Sequence, residues 1–432
     1  MKTSNMYFKL LNLGNHFKLP YMNIALYTLT SPLHDEKAVN AASMQFLQDI
    51  EKALEISFDF RGNDFSRYGE SELDLIFVRT GGTEGLFKEV LPRLKGRILI
   101  LTSGKSNSLA ASLEIMSYLN QQGRCGEILH GSTAYIAERL KLLYKVAAAR
   151  KALDGQNFGI IGQPSDWLIS SEADKEKLKS TLGINLVEIS IDELAEDIRN
   201  ADLRVLEDKA RIHEVRSEIS QNLSRYEEGA LKIYVALKAI INKYRLSGLT
   251  LRCFDLLDKI GNTGCLALAM LNAEGIPSGC EGDVPALITM AIGNAITGSC
   301  GFQANPARID PMTGELLLAH CTVPLDMVRK FSLATHFESG IGIAVHGEIP
   351  TGDATILKVS GDLSRSFCAE AELTANQYEN NLCRTQIILK LKENGEQICK
   401  EYFLKNPVGN HHIVFSGSHK DIFETLMNLI QS

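Results

Sequence analysis

The chain has 432 residues, of which 45% are hydrophobic and 22% are charged, and its formal net charge at pH 7 is −7. This composition is typical of a soluble globular protein of about three domains. The acidic balance, without a dense run of Lys and Arg, argues against nucleic-acid binding, and no apolar run is long enough to predict a transmembrane helix. Small neutral or weakly charged ligands suit such a chain better.

Residues 1–21 lack the apolar core and cleavage pattern of a signal peptide, and we interpret them as a disordered extension or a start-site artefact. From residue 22 the pattern alternates strand and helix. Strands are predicted at 23–27, 73–78, 97–101 and 127–129, and helices at 36–54 and 84–94. This alternation predicts a parallel sheet wrapped by helices.

Loops at the carboxyl ends of these strands are the first candidate binding segments. Residues 80–85 and 102–108 are small and polar and open helices, but neither has the spacing of a dinucleotide-binding or P-loop motif. We therefore favour tight turns over a phosphate site. His130 follows the strand at 127–129, where its ring can reach a ligand or simply be exposed.

A polar segment around 151–157 predicts a boundary between a first domain, 22–155, and a second, 156–297. The second domain is predicted to contain strands at 158–162 and 184–189. Residues 203–244 have the helical spacing of one long charged stretch. The domain then ends in strand, helix, strand and helix between residues 248 and 296, which completes the α/β pattern.

Three acidic residues mark the ends of the last two strands in this domain. In the run 249–255 (LTLRCFD) a period of two places Asp255 at the end of an apolar row. Glu281 and Asp283 follow the next extended segment, so the three carboxylates converge if the strands are neighbours. Their mutual repulsion predicts a divalent cation between them. The structural alternatives are an N-cap for Asp283 and a turn for Asp255.

Beyond residue 297 the pattern changes to short strands with turn signals, which predicts a β-rich barrel or sandwich over 298–432, closed by a helix at 420–430. His411 and His412 precede a β-branched run, so one ring can point inward and the other outward. A neutral imidazole would complete a carboxylate site for manganese or a similar ion. Two loop histidines are the structural alternative.

The nine cysteines are scattered and form no CxxC pair. Their odd number and apolar surroundings predict reduced, mostly buried thiols in a cytoplasmic protein, and no structural zinc site is expected. Cys253, Cys265 and Cys280 remain candidates for soft metal ligands beside the carboxylates.

Three stretches together resemble the L-fucose/L-arabinose isomerase family, in particular its uncharacterised fucose-isomerase-like branch. They are Phe254 with Asp255, the run 280–283 (CEGD) and the run 409–414 (GNHHIV). The resemblance covers most of the chain. It implies two doubly wound, flavodoxin-like parallel-sheet domains followed by a C-terminal β-rich, barrel-like domain. One departure is that the first acid of the arabinose enzymes is glutamate, whereas this chain has the shorter Asp255.

The resemblance also implies a set of site residues. The implied catalytic residues are Asp255, Glu281 and Asp283, and the implied ligands of Mn²⁺, or of another divalent cation, are Asp255, Glu281, Asp283 and His412. Glu281 and Asp283 are alternatives for the second metal ligand. The candidate substrate-binding residues are His130, His320 and His411.

The activity implied is metal-dependent aldose-ketose isomerisation of a pentose or 6-deoxyhexose through an enediolate, in a cytoplasmic homotrimer or homohexamer. Such a metal polarises the carbonyl while carboxylates move protons. Two alternatives stay open, because fold does not imply function. One is a catalytically silent sugar-binding or regulatory homologue, and the other is a related enediolate enzyme such as an epimerase or aldolase. The sequence does not specify the sugar.

Overall fold

The computed structural model describes residues 23–206 and 210–431, so the extension interpreted at residues 1–21 lies outside the described residues. Within the described chain, residues up to 148 form one compact unit and residues 149–431 form another. The three-domain division at residues 155 and 297 stays a prediction. None of the described helices combines the length and the apolar character that crossing a membrane requires.

The unit ending at residue 148 is built on a parallel sheet with the strand order β2-β1-β3-β4-β5. Its strands are β1 (Ile24–Leu29), β2 (Asp59–Gly62), β3 (Leu73–Val78), β4 (Ile98–Leu101) and β5 (Gly126–Leu129). The helices are α1 (Glu36–Leu54), α2 (Glu84–Val90), α3 (Ser108–Gln121) and α4 (Thr133–Leu153), the last of which continues past residue 148. Leu75 and Phe77 belong to one apolar cluster and Ile76 and Val78 to another, so helices cover both faces of the sheet.

The second sheet is also parallel and has the order β7-β6-β8-β9. Its strands are β6 (Asn157–Ile161), β7 (Asn185–Ile189), β8 (Leu246–Leu251) and β9 (Ser278–Cys280). The helices of this part are α5 (Lys175–Leu182), α6 (Ile191–Asn200), α7 (Ala210–Ser217), α8 (Ser224–Tyr244), α9 (Asp255–Ile260), α10 (Cys265–Ala273) and α11 (Val284–Thr297). The strand order reverses between β6 and β8, and open α/β sheets bind ligands beyond the carboxyl ends of strands at such a point.

The C-terminal part is a closed antiparallel barrel with the order β10-β11-β16-β15-β14-β17, accompanied by a separate β12-β13 pair. The strands are β10 (Phe302–Asp310), β11 (Glu315–His320), β12 (Lys330–Ala334), β13 (Ala344–Glu348), β14 (Gly352–Val359), β15 (Ser366–Gln377), β16 (Thr385–Leu391) and β17 (His412–Ser416). The helices are α12 (Gly395–Ile398), which runs into a π-helical turn at Cys399–Phe403, and α13 (Lys420–Gln431). The predicted fold class is therefore confirmed: two parallel α/β sheets are followed by a β-barrel.

Helix α11 packs directly on the barrel and so joins it to the second sheet. A Cβ at Gly293 would lie 1.9 Å from the Phe415 ring, so only glycine fits where the helix crosses β17. The Thr289 hydroxyl accepts a hydrogen bond from the Val359 amide at the end of β14. This packing brings the first residues of α11 next to the start of β17.

Two local predictions were wrong. The strand predicted to run to Asp255 ends at Leu251, and a helical turn begins where the Leu256 amide donates to the Cys253 carbonyl. The long helix predicted at 203–244 is interrupted, and α8 begins at Ser224 after a polar segment rich in Ser, Asn and Gln. Strands β2, β10 and β12 were not predicted, and Pro306 lies within β10 at a point where the register shifts.

Candidate functional site

One buried group of potential metal ligands occurs in the described chain, and it consists of Glu281, His320 and His411. One ligand atom from each of the three lies within 4.8 Å of the others. Glu281 follows β9, His320 ends β11, and His411 immediately precedes β17. The site therefore joins the carboxyl edge of the second sheet to one end of the barrel, where the strand-order reversal predicts a ligand.

The backbone of Glu281 has a φ of +64°, in the left-handed region that residues other than glycine rarely adopt. Gly282 follows at φ +70°, and a Cβ there would meet the Gln163 carbonyl oxygen at 2.5 Å. The Glu281 carbonyl accepts a hydrogen bond from the Ser165 amide at 2.9 Å. Strain of this kind persists only where the surroundings fix it, and it clusters at functional sites.

The two carboxylate oxygens of Glu281 have different neighbours. Oε2 accepts a hydrogen bond from the Trp167 indole N–H at 2.6 Å. Oε1 lies 3.6 Å from His411 Nε2 and 3.8 Å from His320 Nε2. One oxygen is thus occupied by the protein, while the other faces two imidazole nitrogens.

These separations fit a shared cation. An ion about 2.1 Å from each ligand atom keeps two ligands roughly 3 to 4 Å apart, which matches the distances from Oε1 to the histidines. His411 Nε2 is buried and has no hydrogen-bond partner in the described chain, although an orphaned buried nitrogen is costly. Two imidazoles and one carboxylate suit manganese, iron or zinc.

Asp283 contacts His411 through the ring nitrogen that does not face Glu281. Its Oδ1 accepts the Ala286 amide at 2.8 Å and so caps α11, while Oδ2 lies 2.8 Å from His411 Nδ1. The N-cap interpretation of Asp283 is therefore confirmed. The carboxylate also fixes the ring so that Nε2 faces Glu281, the usual arrangement around a metal-binding histidine.

Lys358 adds a buried positive charge behind the pair formed by Asp283 and His411. Its Nζ lies 3.7 Å from Asp283 Oδ2, and both side chains are almost completely buried. No hydrogen bond to this nitrogen is present in the described chain. The Lys358 ammonium group compensates part of the negative charge of the buried Asp283 and Glu281 carboxylates.

The pKa values follow from these contacts. Burial opposes ionisation of Glu281, but the imidazoles of His320 and His411 outweigh it and hold the pKa of this carboxyl below its ordinary range. For Asp283 burial is likewise outweighed, by Lys358 and His411, and the pKa falls to about 2. Burial lowers the pKa of His411, but its hydrogen bond to Asp283 and the nearby Glu281 outweigh burial and raise the pKa to about 9. The two carboxylates, Glu281 and Asp283, and the His411 imidazole thus lie together in the buried interior.

Asp255 and His412 lie outside this group. Asp255 is in the first turn of α9, and its Oδ1 accepts a hydrogen bond from Arg252 Nε at 2.9 Å. The His412 ring packs against Phe367 and its Nε2 lies 2.9 Å from the Tyr402 hydroxyl, and burial lowers its pKa to about 3. Of the two adjacent histidines, His411 contacts the carboxylates.

The remaining predicted residues have different positions. His320 is among the three potential metal ligands, whereas His130 belongs to the unit ending at residue 148, where its Nδ1 lies 3.1 Å from the Thr102 carbonyl oxygen. The group of potential metal ligands contains no cysteine. The sulfur atoms of Cys253 and Cys280 lie 3.1 Å apart, and Cys280 directly precedes Glu281.

Sequence reasoning missed Trp167 and Lys358, and both left a signal. Trp167 is the single tryptophan of the chain and follows a strand whose carboxyl end faces the site. Lys358 shares a period of two with the buried Ala354 and Ile356 of β14, so a charge interrupts an apolar row. A charge in such a row calls for a partner.

Comparison with known proteins finds distant relatives of one kind. The chain is 26% identical to a sulfoquinovose isomerase of Priestia megaterium over 236 residues. The aligned region covers 52% of this chain and 52% of the relative. At 23% identity it matches a sulfoquinovose isomerase of Alkalicoccus urumqiensis over 283 residues, or 62% of this chain and 61% of the relative. A similar match at 23% links it to a sulfoquinovose isomerase of Clostridium sp. (strain MSTE9), over 59% of both chains.

The chain is distantly similar to sulfoquinovose isomerases. It spans about half the length of the Priestia relatives it matches, with 52% of each covered. No family model matches the sequence.

Proposed function

We propose that this chain is an aldose-ketose isomerase that uses one divalent cation held by Glu281, His320 and His411. The observation that carries the proposal is the buried His411 Nε2, which has no hydrogen-bond partner among the described residues and lies 3.6 Å from Glu281 Oε1. A purely structural cluster would pair these two groups more closely, since an orphaned buried donor or acceptor is costly. A cation between them satisfies both.

The distant relatives support an isomerase acting on a sugar, because each bears the name sulfoquinovose isomerase. We propose an open-chain aldose as the substrate. The candidates are a pentose, a 6-deoxyhexose and a 6-deoxy-6-sulfohexose of the kind named for these relatives. Manganese, a cytoplasmic location and a trimeric or hexameric assembly remain parts of the proposal.

The residues of the site suit the proton movements of this reaction. The bound cation would polarise the sugar carbonyl and stabilise negative charge on O1 and O2. Glu281 is ionised at neutral pH, and its Oε1 can take the proton from C2 and return it to C1. Trp167 keeps the other oxygen fixed, and Asp283 holds the His411 ring in one orientation.

Asp255 is the proposed second proton carrier, and it follows Phe254, whose ring packs on Trp167. Its carboxylate is 32% exposed and paired with Arg252, so it would first have to leave that ion pair. If it does not, Glu281 moves the carbon-bound proton and the hydroxyl proton passes between O1 and O2 within the substrate.

The test is a panel assay on protein whose metal content is known. The purified chain is loaded with Mn²⁺, its bound metal is measured by elemental analysis, and ketose formation is followed by NMR with L-fucose, L-arabinose and sulfoquinovose. Conversion of one aldose to its ketose, lost in Glu281→Gln, is the expected result. No ketose from any sugar with a fully loaded site would overturn the proposal, and a C2 epimer would redirect it to an epimerase.

A further inference from the structure

Trp167 makes a partly buried hydrogen bond although more than half of the residue is exposed. Its indole N–H donates to Glu281 Oε2 at 2.6 Å, yet 54% of the residue is exposed. Among the described aromatic residues only Phe60, Tyr135 and Tyr378 are likewise more than half exposed. Amphipathic rings with one polar contact and one bare apolar surface are typical of binding sites.

The loop that bears Trp167 is fixed to the site and is not a loose surface segment. The Ser165 amide donates to the Glu281 carbonyl at 2.9 Å, and the Leu168 amide closes the turn onto the Ser165 carbonyl at 2.8 Å. Arg252 donates to the Pro164 carbonyl at 2.8 Å. The ring is therefore preorganised relative to Glu281, which reduces the entropy cost of binding a ligand there.

A second aromatic ring extends this surface. Phe254 packs edge-to-face on Trp167 with ring centroids 4.9 Å apart, and His336 packs edge-to-face on Phe254 at 5.5 Å. The Asp255 carboxylate beside Phe254 holds Arg252, which in turn holds the Trp167 loop. The side chains of Trp167, Phe254 and Asp255 are thus linked to one another beside Glu281.

An open-chain sugar offers two kinds of surface to such a site. Its oxygens are strongly polar and suit the Glu281, His320 and His411 group, whereas its C–H bonds form apolar strips that pack well on an aromatic ring. A ring anchored by its N–H to Glu281 lies next to the carbons whose protons that carboxylate would move. The same indole can orient the carboxylate and bind the substrate.

We propose that Trp167 binds the C–H face of the sugar chain through its exposed ring, while its N–H positions Glu281 so that Oε1 faces the histidines. This proposal rests on the function proposed above and adds a binding and positioning residue to it. The ring excludes water from one side of the reacting carbons and selects for a chain with an uninterrupted apolar strip. Phe254 supports the ring from its edge.

The first experiment uses the intrinsic fluorescence of the whole Mn²⁺-loaded protein. Because Trp167 is the single tryptophan, its emission reports on this ring alone. The protein is titrated with alditols, which lack a carbonyl and are not isomerised: L-fucitol, L-arabinitol and 6-deoxy-6-sulfoglucitol. A saturable change in emission with at least one alditol is expected, with a matching dissociation constant from calorimetry. No change in emission with any of them overturns the proposal.

The second experiment separates the two roles with two variants. Trp167→Gln keeps a donor but removes the ring, and we expect KM and the alditol dissociation constant to rise roughly tenfold. Trp167→Phe keeps an aromatic surface but removes the N–H, and we expect kcat to fall roughly tenfold with KM nearly unchanged. Ile169→Gln, at a residue 91% exposed two positions further on, is the matched control and keeps wild-type constants.

Failure of this proposal is distinguishable from failure of the proposed function. If no aldose is converted but alditols still change the emission and bind more weakly to Trp167→Gln, the isomerase assignment falls and the binding role of Trp167 stands. If an aldose is converted and folded Trp167→Gln has the wild-type KM and alditol affinity, the binding role of Trp167 is overturned.

Discussion

Asp283 Oδ2 lies 2.8 Å from His411 Nδ1, and both side chains are completely buried although they are 128 positions apart in the chain. The same carboxylate caps helix α11 through its other oxygen. One residue thus fixes a helix of the α/β part and a histidine of the barrel. The predictions below depend on this contact and on the group that it supports.

Asp283→Asn tests whether the charge of this residue, and not its capping bond, supports the proposed metal site. Asparagine caps helices as well as aspartate does, so α11 should keep its N-terminus. We expect the Mn²⁺ affinity, measured by calorimetry, to fall about 10- to 100-fold because His411 loses its anionic partner. Asp174→Asn, at the cap of α5 without a histidine partner, is the matched control, and an equal loss there would contradict the prediction.

The two adjacent histidines should behave differently when each is replaced. His411→Ala removes the imidazole that faces Glu281, and we expect the protein to lose its bound metal on gel filtration while staying folded. His412→Ala should retain the metal, because that ring contacts the Tyr402 hydroxyl instead. It should lose about 2 kcal/mol of stability in urea unfolding, since it leaves a cavity and an unpaired hydroxyl. Metal loss in His412→Ala alone would assign the ligand to His412.

Lys358→Met should destabilise the fold through Asp283. Removing one partner of a buried ion pair leaves an uncompensated charge, and we expect a loss on the order of 3 kcal/mol in the free energy of unfolding. In the double variant Lys358→Met/Asp283→Asn the loss should be smaller than the sum of the two single losses, because no lone carboxylate remains. Strict additivity in this double-mutant cycle would show that the two groups do not interact. Lys392→Met, at a partly exposed residue paired with Asp353, is the control.

Protein stripped of metal with EDTA should lose stability as the pH rises above neutrality. His411 has a pKa of about 9 in the folded protein against an ordinary value of 6.5, so the folded state binds this proton more tightly than the unfolded chain does. The stabilisation is complete below pH 6.5 and disappears as the pH rises through about 9. The melting temperature should fall over this window in the wild type. In His411→Asn the fall should be absent, whereas His34→Gln, at an exposed residue, should keep it.

Much of the fold could be predicted from local patterns. Alternating apolar strands and amphipathic helices are written in short stretches of sequence, and they predicted both parallel sheets and the β-rich C-terminal part. The loop at residues 280–283 could also be identified as special, because two acidic residues there flank a glycine directly after an extended segment. These features depend on neighbours in the chain, so the sequence alone determined them.

The tertiary structure alone decided which of these polar residues meet. His411 immediately precedes β17 and faces Glu281, whereas His412 is the first residue of β17 and pairs with Ala304 of β10. The pairing of β17 in the barrel therefore decides which of the two rings reaches the carboxylates. The early end of β8 and the Arg252 contact take Asp255 out of the group formed by Glu281 and the histidines. The first outcome depends on the pairing of β17 with β10 and β14, which lie far away in the sequence. The contact between Arg252 and Asp255 is local, but Arg252 also donates to the Pro164 carbonyl, which is 88 positions away. The pattern of apolar residues along the chain encodes neither outcome.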